Sequence, residues 1–295
     1  MSADVAVETR RTDPPARAGR SPVPTVAFHL VAGLLLLILL YPVLWLVLTS
    51  FKSTSEILET TALLPKEWTI ENFGDGWEGN GSQTFGTYFA NSFIVSIGCV
   101  LGNLITCTLT AYAFSRLNFA GRSVLFGLVV AILFLPKEVL LIPQYTLFHQ
   151  IGWTDSFLPL IVPHFLALDA FFVFLSVQFL RGIPVELDEA AVLDGCGPWR
   201  RFFFVILPLV RPALATTSIF TFIWAWNDFM PQLMYLNSPD NYTVSVGLRM
   251  FLDASAGSDL GPMSAMSLLS LVPLFALFIF FQKALVEGVS MTGLK

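Results

Sequence analysis

Residues 30–48 read LVAGLLLLILLYPVLWLVL and carry no charge. A helix of about 20 such residues spans the roughly 30 Å hydrocarbon core of a bilayer. The apolar run covers 26–48, longer than the about 7–15 residues of a secretory signal, and no small-residue cleavage site follows it. It is read as a retained membrane span. Five similar stretches follow, at 89–113, 124–148, 157–179, 213–235 and 263–284. Pro42, Pro136, Pro143, Pro163, Pro231 and Pro273 fall inside the six, which membrane helices tolerate where neighbours satisfy the freed carbonyls. Of the 295 residues, 55% are hydrophobic and 13% charged, against about 25% charged in soluble domains. The expected fold class is an all-α integral membrane protein with six transmembrane helices.

Charge sets the orientation. With both termini in the cytoplasm, Arg10, Arg11, Arg17, Arg20, Arg116, Arg122, Arg181, Arg200, Arg201, Arg211, Lys283 and Lys295 lie inside, and Lys52, Lys66 and Arg249 lie outside. This is the positive-inside bias of a plasma (bacterial cytoplasmic) membrane protein. Glu56, Glu59, Glu67, Glu71, Asp75, Glu78, Asp155, Asp240, Asp253 and Asp259 fall on the outer side. Residues 1–24, rich in Pro, Arg and small polar types, read as a disordered cytoplasmic tail. Residues 25–287 form the membrane domain, and 288–295 a cytoplasmic C-terminal tail. Cys99, Cys107 and Cys196 show no metal-ligand spacing and read as small buried or loop residues. A net charge of −5 gives no sign of a nucleic-acid partner.

The loop between the fourth and fifth spans, 181–212, is long and cytoplasmic. With the residue after it, it reads RGIPVELDEAAVLDGCGPWRRFFFVILPLVRPA. Pro184 suits a first helical turn, and Glu186, Asp188 and Glu189 complement the positive end of a helix dipole. Ala190, Ala191 and Leu193 favour helix. Gly195 can supply a left-handed terminating residue, and Pro198 can open a second, amphipathic helix ending at Pro208. Such an element either presses on another protein or is an ordinary interfacial connector.

Glu189-Ala190-Ala191, three residues, Gly195, nine residues, then Val205-Ile206-Leu207-Pro208 resembles the E-A-A loop of ABC importer permeases, with valine replacing the usual isoleucine. The resemblance implies the type I ABC importer permease fold, whose short cytoplasmic coupling helix seats in a groove of an ATPase subunit. It implies ATPase docking through Leu187, Glu189, Ala190, Ala191, Leu193, Asp194 and Gly195, with Pro208 closing the motif. The chain has no G-x-x-x-x-G-K-[ST] phosphate loop. ATP and Mg therefore belong to a partner ATPase, and no cofactor or metal and no catalytic residue is assigned to this chain.

Further motifs resemble the carbohydrate importer permeases of the MalG-like type. They are Ser50-Phe51-Lys52, Leu64-Pro65, Trp68-Thr69, Glu71-Asn72-Phe73, Asn91-Ser92 and Trp226-Asn227-Asp228-Phe229. The terminal segment from Gly288 to Lys295 resembles the family's G-L-T-[AS]-G-A-V-K-G, departing at Thr292 among others, and the resemblance implies a contact with the ATPase pair. Implied partners are a sister permease, two ATPase subunits, an extracytoplasmic solute-binding protein and a sugar.

Ionisable groups within spans cost about 2.5–3.5 kcal/mol each on insertion scales. Lys137, Glu138 and Asp169 therefore either line the translocation path or form ion pairs between helices. Asn227 and Asp228 suit a structural or gating role. Trp224, Trp226, Asn227 and Gln232 combine aromatic faces with polar groups, as sugar sites do; helix packing is the alternative for the tryptophans. Gly98 and Gly102 form a G-x-x-x-G that permits close helix contact. His29 and His164 carry no pattern. Two other transport readings stay open: import of a glycerophosphodiester, amino acid or polyamine on the same fold, and ion-coupled secondary transport through Lys137, Glu138, Asp169 and Asp228. A membrane enzyme would need convergent nucleophile–base or metal clusters, which the sequence does not show.

Overall fold

The computed structural model describes residues 22–79, 83–252 and 259–292, and it is helical throughout. In chain order the α-helices are α1 (Pro22–Thr49), α2 (Thr54–Glu59), α3 (Glu71–Glu78), α4 (Phe85–Arg116), α5 (Arg122–Ile132), α6 (Lys137–Gln150), α7 (Leu158–Ile161) and α8 (Ala170–Arg181). They continue with α9 (Glu186–Leu193), α10 (Pro198–Arg201), α11 (Leu207–Leu209), α12 (Arg211–Asn227), α13 (Met230–Tyr235), α14 (Val244–Arg249) and α15 (Leu260–Thr292). Residues 1–45 and 46–295 form two separate units. The first contributes most of α1, whose Ala27–Thr49 portion is apolar enough to cross a bilayer.

Phe85–Arg116, Leu158–Arg181 and Leu260–Gln282 also qualify as spans by themselves. Two bent pairs raise the number to six: α5 with α6, bent by 102°, and Pro198–Leu209 with α12, bent by 74°. The expected third span, 124–148, is thus broken where α5 stops at Ile132. Pro136 has no N–H to give the Ile132 carbonyl and its ring crowds that group, so the helix ends there. The same pairing of Pro231 with Asn227 parts α12 from α13 inside the expected 213–235 span. In the fourth span, α7 passes into a 3-10 turn at Val162–Leu166 and a left-handed Ala167 (φ 54°) before α8 begins.

The ends also differ from expectation. Helix α1 begins at Pro22, inside the segment expected to be disordered, while residues 1–21 lie outside the described residues. Helix α15 runs through Gly288 to Thr292 rather than giving way to a tail at 288. Lys295 lies outside the described residues.

Helix α4 is the centre of the larger unit, flanked by α12, α8, α14 and the 3-10 turn after α7. Gly98 and Gly102 let that turn approach. A Cβ on Gly98 would stand 2.9 Å from Ile161 Cδ1, and one on Gly102 2.9 Å from the His164 carbonyl carbon. Three apolar clusters fill the interior. The first joins Ala111, Tyr112, Phe172 and Val177 to Phe202 and Ile206. The second joins Phe85 and Tyr88 to Phe222, Trp226, Phe251 and Met266. The third joins Val95 and Cys99 to Phe148, Leu160 and Tyr235. Cys99 and Cys107 are buried free thiols.

Candidate functional site

Helix α9 stands at the C-terminal end of α4. Pro184 precedes it by two residues rather than lying in its first turn, and Glu186, Asp188 and Glu189 all fall within that turn. Gly195, at φ 78°, ends it in the left-handed conformation. The Gly195 N–H donates to Val192 O (3.0 Å) and the Cys196 N–H to Ala191 O (2.9 Å), the paired bonds of a Schellman cap. Pro198 then opens α10, a π-helical turn covers Phe202–Ile206, and α11 carries Pro208, exposed, at the 74° bend.

The expected docking residues divide by face. Leu187, Glu189, Ala190, Leu193, Asp194 and Gly195 are exposed, Leu193 at 88%. Val192, Trp199, Phe203 and Phe204 add exposed apolar area beside them. Ala191 corrects the expectation: it is buried at 7% and packs inward, as the position two residues past an outward Glu189 must on a helix already held on one side. Asp188, read from the sequence only as a charge at the helix N-terminus, is buried as well.

The second constellation is a cavity of about 310 Å³ within the bundle. Lys137, Asp169, Trp224, Asn227, Asp228 and Gln232 line it, joined by Cys99, His164 and Thr221. Break points in the helices place these groups: Lys137 opens α6 after Pro136, Asp169 precedes α8, Asn227 ends α12, and Asp228 begins the gap before α13. Lys137 Nζ lies 5.3 Å from the Trp224 ring centroid, a cation–π arrangement. Among the described residues Lys137 makes no ion pair within 4 Å. Asp169 accepts from Asn103 Nδ2 (3.2 Å) and stands 3.7 Å from His164 Nδ1. Asn103 Nδ2 also donates to Thr221 Oγ1 (3.1 Å).

Two expected path residues do not line this cavity. Glu138 is exposed elsewhere on α6. Trp226 is 2% exposed, donates from its indole N–H to Ser270 O (3.2 Å), and packs on Phe93 and Phe222. Gln232 does reach the cavity, but its amide is used internally: Nε2 donates to Ala225 O (2.8 Å) and Oε1 accepts from the Thr243 hydroxyl. The sequence reading missed Asn103 and His164. A lone Asn in the middle of an otherwise apolar span was the available signal.

Around the N-terminal part of α4, side chains bond to the backbone of neighbouring segments. Asn72 Nδ2 donates to Ser50 O (2.9 Å) and Lys52 O (2.7 Å). Asn91 Nδ2 donates to Asp240 O (2.8 Å) and Tyr242 O (2.9 Å), and Val244 N–H to Ser92 Oγ (2.8 Å). Asp155, with a left-handed backbone (φ 60°), accepts the N–H groups of Asn237 and Ser238 (2.9 Å each) and the Ser238 hydroxyl. Burial pushes the Asp155 carboxyl up, but these bonds and one from Asn241 outweigh it and hold the group at about 2.

A bundle of membrane-crossing helices, interrupted around a polar cavity and presenting an exposed helix–turn–helix element at one end, is the architecture of a transporter's transmembrane component. The chain belongs to the binding-protein-dependent transport system inner membrane component family, whose profile matches residues 102–291. It is 32% identical to the arabinooligosaccharides transport system permease protein AraQ of Halalkalibacterium halodurans, over 92% of this chain and 95% of that one. It is 30% identical to the diacetylchitobiose uptake system permease protein NgcG of Streptomyces coelicolor, over 89% and 86%. Its fold matches a chain in the crystal structure of a bacterial ABC transporter involved in the import of the acidic polysaccharide alginate. That match has a TM-score of 0.78 at 21% identity and covers 92% of this chain and 99% of the other. The chain is thus a multi-pass inner-membrane permease subunit of an ABC importer, working with a binding protein and an ATPase. It is a non-catalytic component, and ATP is hydrolysed on the ATPase partner.

Proposed function

We propose that the chain is one transmembrane half of an ATP-driven oligosaccharide importer, with α9 as the helix through which ATPase closure switches the permease between inward-open and outward-open states. The observation that carries this reading is the exposed face of α9. Glu189 and the apolar Leu187, Val192 and Leu193 stand uncovered on a helix whose length is fixed by the Gly195 cap. A rigid helix held at one face and bare at the other transmits displacement, and the free-energy difference between states comes from ATP binding and release on the partner. The charge distribution supports an orientation with both termini and α9 in the cytoplasm.

The remaining partners follow from the same reading: a distinct sister permease, two ATPase subunits meeting α9 and the end of α15, and a solute-binding protein on the outer side. A sugar cargo is supported by the named cargoes of AraQ and NgcG and by the cavity itself. The Trp224 face offers a stacking surface, and Asn227 and Thr221 offer hydrogen-bonding groups. Two carboxylates against one ammonium favour an uncharged sugar over an acidic one.

Glu189→Arg in the full importer tests the docking role. The expected result is normal insertion of the permease with at least about a tenfold loss of co-purified ATPase, a change worth about 1.4 kcal/mol or more. Unchanged ATPase recovery would exclude α9 as the seat.

A further inference from the structure

The exposed face of α9 explains where force can enter; its buried face shows where force can go. Asp188 is 4% exposed and lies between two guanidinium groups. Arg116 Nε is 2.9 Å from Asp188 Oδ2, and Arg201 Nε is 3.5 Å from Oδ1. Arg116 is the last residue of α4, and Arg201 the last of α10. Arg116 Nη2 also donates to Ile183 O (2.7 Å), just ahead of α9. One turn earlier on α4, the Tyr112 hydroxyl accepts from Arg201 Nε (3.1 Å) and donates to Pro198 O (3.3 Å). Tyr112 and Arg116, four residues apart on one helix face, therefore hold the segments on both sides of the Gly195 turn.

The chemistry of this cluster is unusual for a merely structural pair. Two cations share one carboxylate away from water, and neither Asp188 oxygen accepts a well-aligned hydrogen bond. Charge attraction rather than directed bonding holds the carboxylate, so the cluster does not tolerate neutralisation. We propose that Asp188, held by Arg116 and Arg201, is the joint that makes α9 and the C-terminal end of α4 move as one body, carrying ATPase displacement into the central helix that borders the cavity. The inference rests on the reading of α9 as the docking helix. Asp188 is a positioning residue in this scheme: it touches neither cargo nor nucleotide.

The test uses the assembled importer in lipid, with Cys99, Cys107 and Cys196 replaced by serine and spin labels at position 186, exposed at the start of α9, and position 94. MgATP with vanadate is the probe. With Asp188 present, the separation of the labels should change by less than about 2 Å on trapping, because both ride on one body; with Asp188→Asn it should shift or broaden by more than about 5 Å, the scale of one helical turn. Asp188→Glu, which keeps the charge, should restore the parent behaviour. Identical label separations in the parent and Asp188→Asn proteins overturn the joint. Loss of the ATPase from Asp188→Asn also overturns it, since the residue would then serve docking. If Asp188→Asn does not accumulate in the membrane, Arg201→Gln, which removes only the longer contact, must show the same shift in weaker form, and its absence overturns the joint. Glu189→Arg is measured in parallel. If it retains the ATPase, the docking reading falls; if it loses the ATPase while Asp188→Asn behaves as parent, only the joint falls.

Discussion

The two ends of α4 are held by different chemistry. At the N-terminal end, the amide, hydroxyl and carboxylate side chains of Asn72, Asn91, Ser92 and Asp155 are spent on backbone groups of neighbouring segments. At the C-terminal end, Arg116, Asp188 and Arg201 meet as charges with few directed bonds, beside a helix whose other face is bare. Directed bonds to backbone fix one arrangement. Charge attraction, with the Arg116 bond to Ile183 O, keeps the attached segments together. The difference teaches that directed bonds pin the loops around one end of α4, while a charge cluster joins α9 to the other.

The contrast can be broken most severely along α4 itself. Gly102→Leu should cost about 3 kcal/mol or more, because even the Cβ stands 2.9 Å from the His164 backbone, and overpacking of rigid neighbours costs about 1–3 kcal/mol before the rest of the side chain is counted. Loss of folded, detergent-extractable protein is the expected readout. Next comes Asn72→Ala, which leaves the Ser50 and Lys52 carbonyls without their buried donor. Orphaned buried groups cost about 1–3 kcal/mol each, so the melting temperature should fall by several degrees, with ATPase association unaffected.

A smaller effect sharpens the comparison through pH. The Asp155 carboxyl is held at about 2 against an ordinary value of 3.8, so its ionised form is favoured in the folded state. Its contribution is fully present above about pH 4 and is lost as pH falls through about 2. Asp155→Asn should abolish that acid-limb dependence, measured as loop protection by hydrogen exchange at 237–241. The smallest change is expected at the end that carries α9: Leu193→Ser, at an 88% exposed site, should shift stability by no more than about 0.5 kcal/mol. The same change should still weaken ATPase recovery, a separation of stability from association that the opposite end cannot show.

Much of this was legible in the sequence, and the parts that were not have a common reason. Hydropathy located the spans because every backbone group in lipid needs an internal partner, which leaves helices as the solution. Gly195 and the E-A-A spacing located α9 because a left-handed terminus has a local signature. The short motifs 50–52, 71–73 and 91–92 were readable as a family resemblance, but their work was not: Asn72 meets Ser50 and Lys52 only after the chain turns back on itself. Proline was read as a kink where it makes a full break. The 102° bend at Pro136 depends on what the rest of the bundle can accommodate, which no local rule contains. Lys137 and Asp169 stood out as ionisable groups within spans, yet Asp169 is satisfied by Asn103 and His164 from outside any motif. Ala191 and Asp188 both turn inward because helical phase relative to α4 is set by tertiary packing.

The central claim is that the bare face of α9 seats an ATPase, and one measurement addresses it without perturbing the fold. A photo-crosslinking residue at position 193, in the importer assembled in native membranes, should capture the ATPase subunit as the dominant adduct, and the yield should change when ATP is added. Adducts confined to lipid or to other permease segments, with none to the ATPase, would contradict the account.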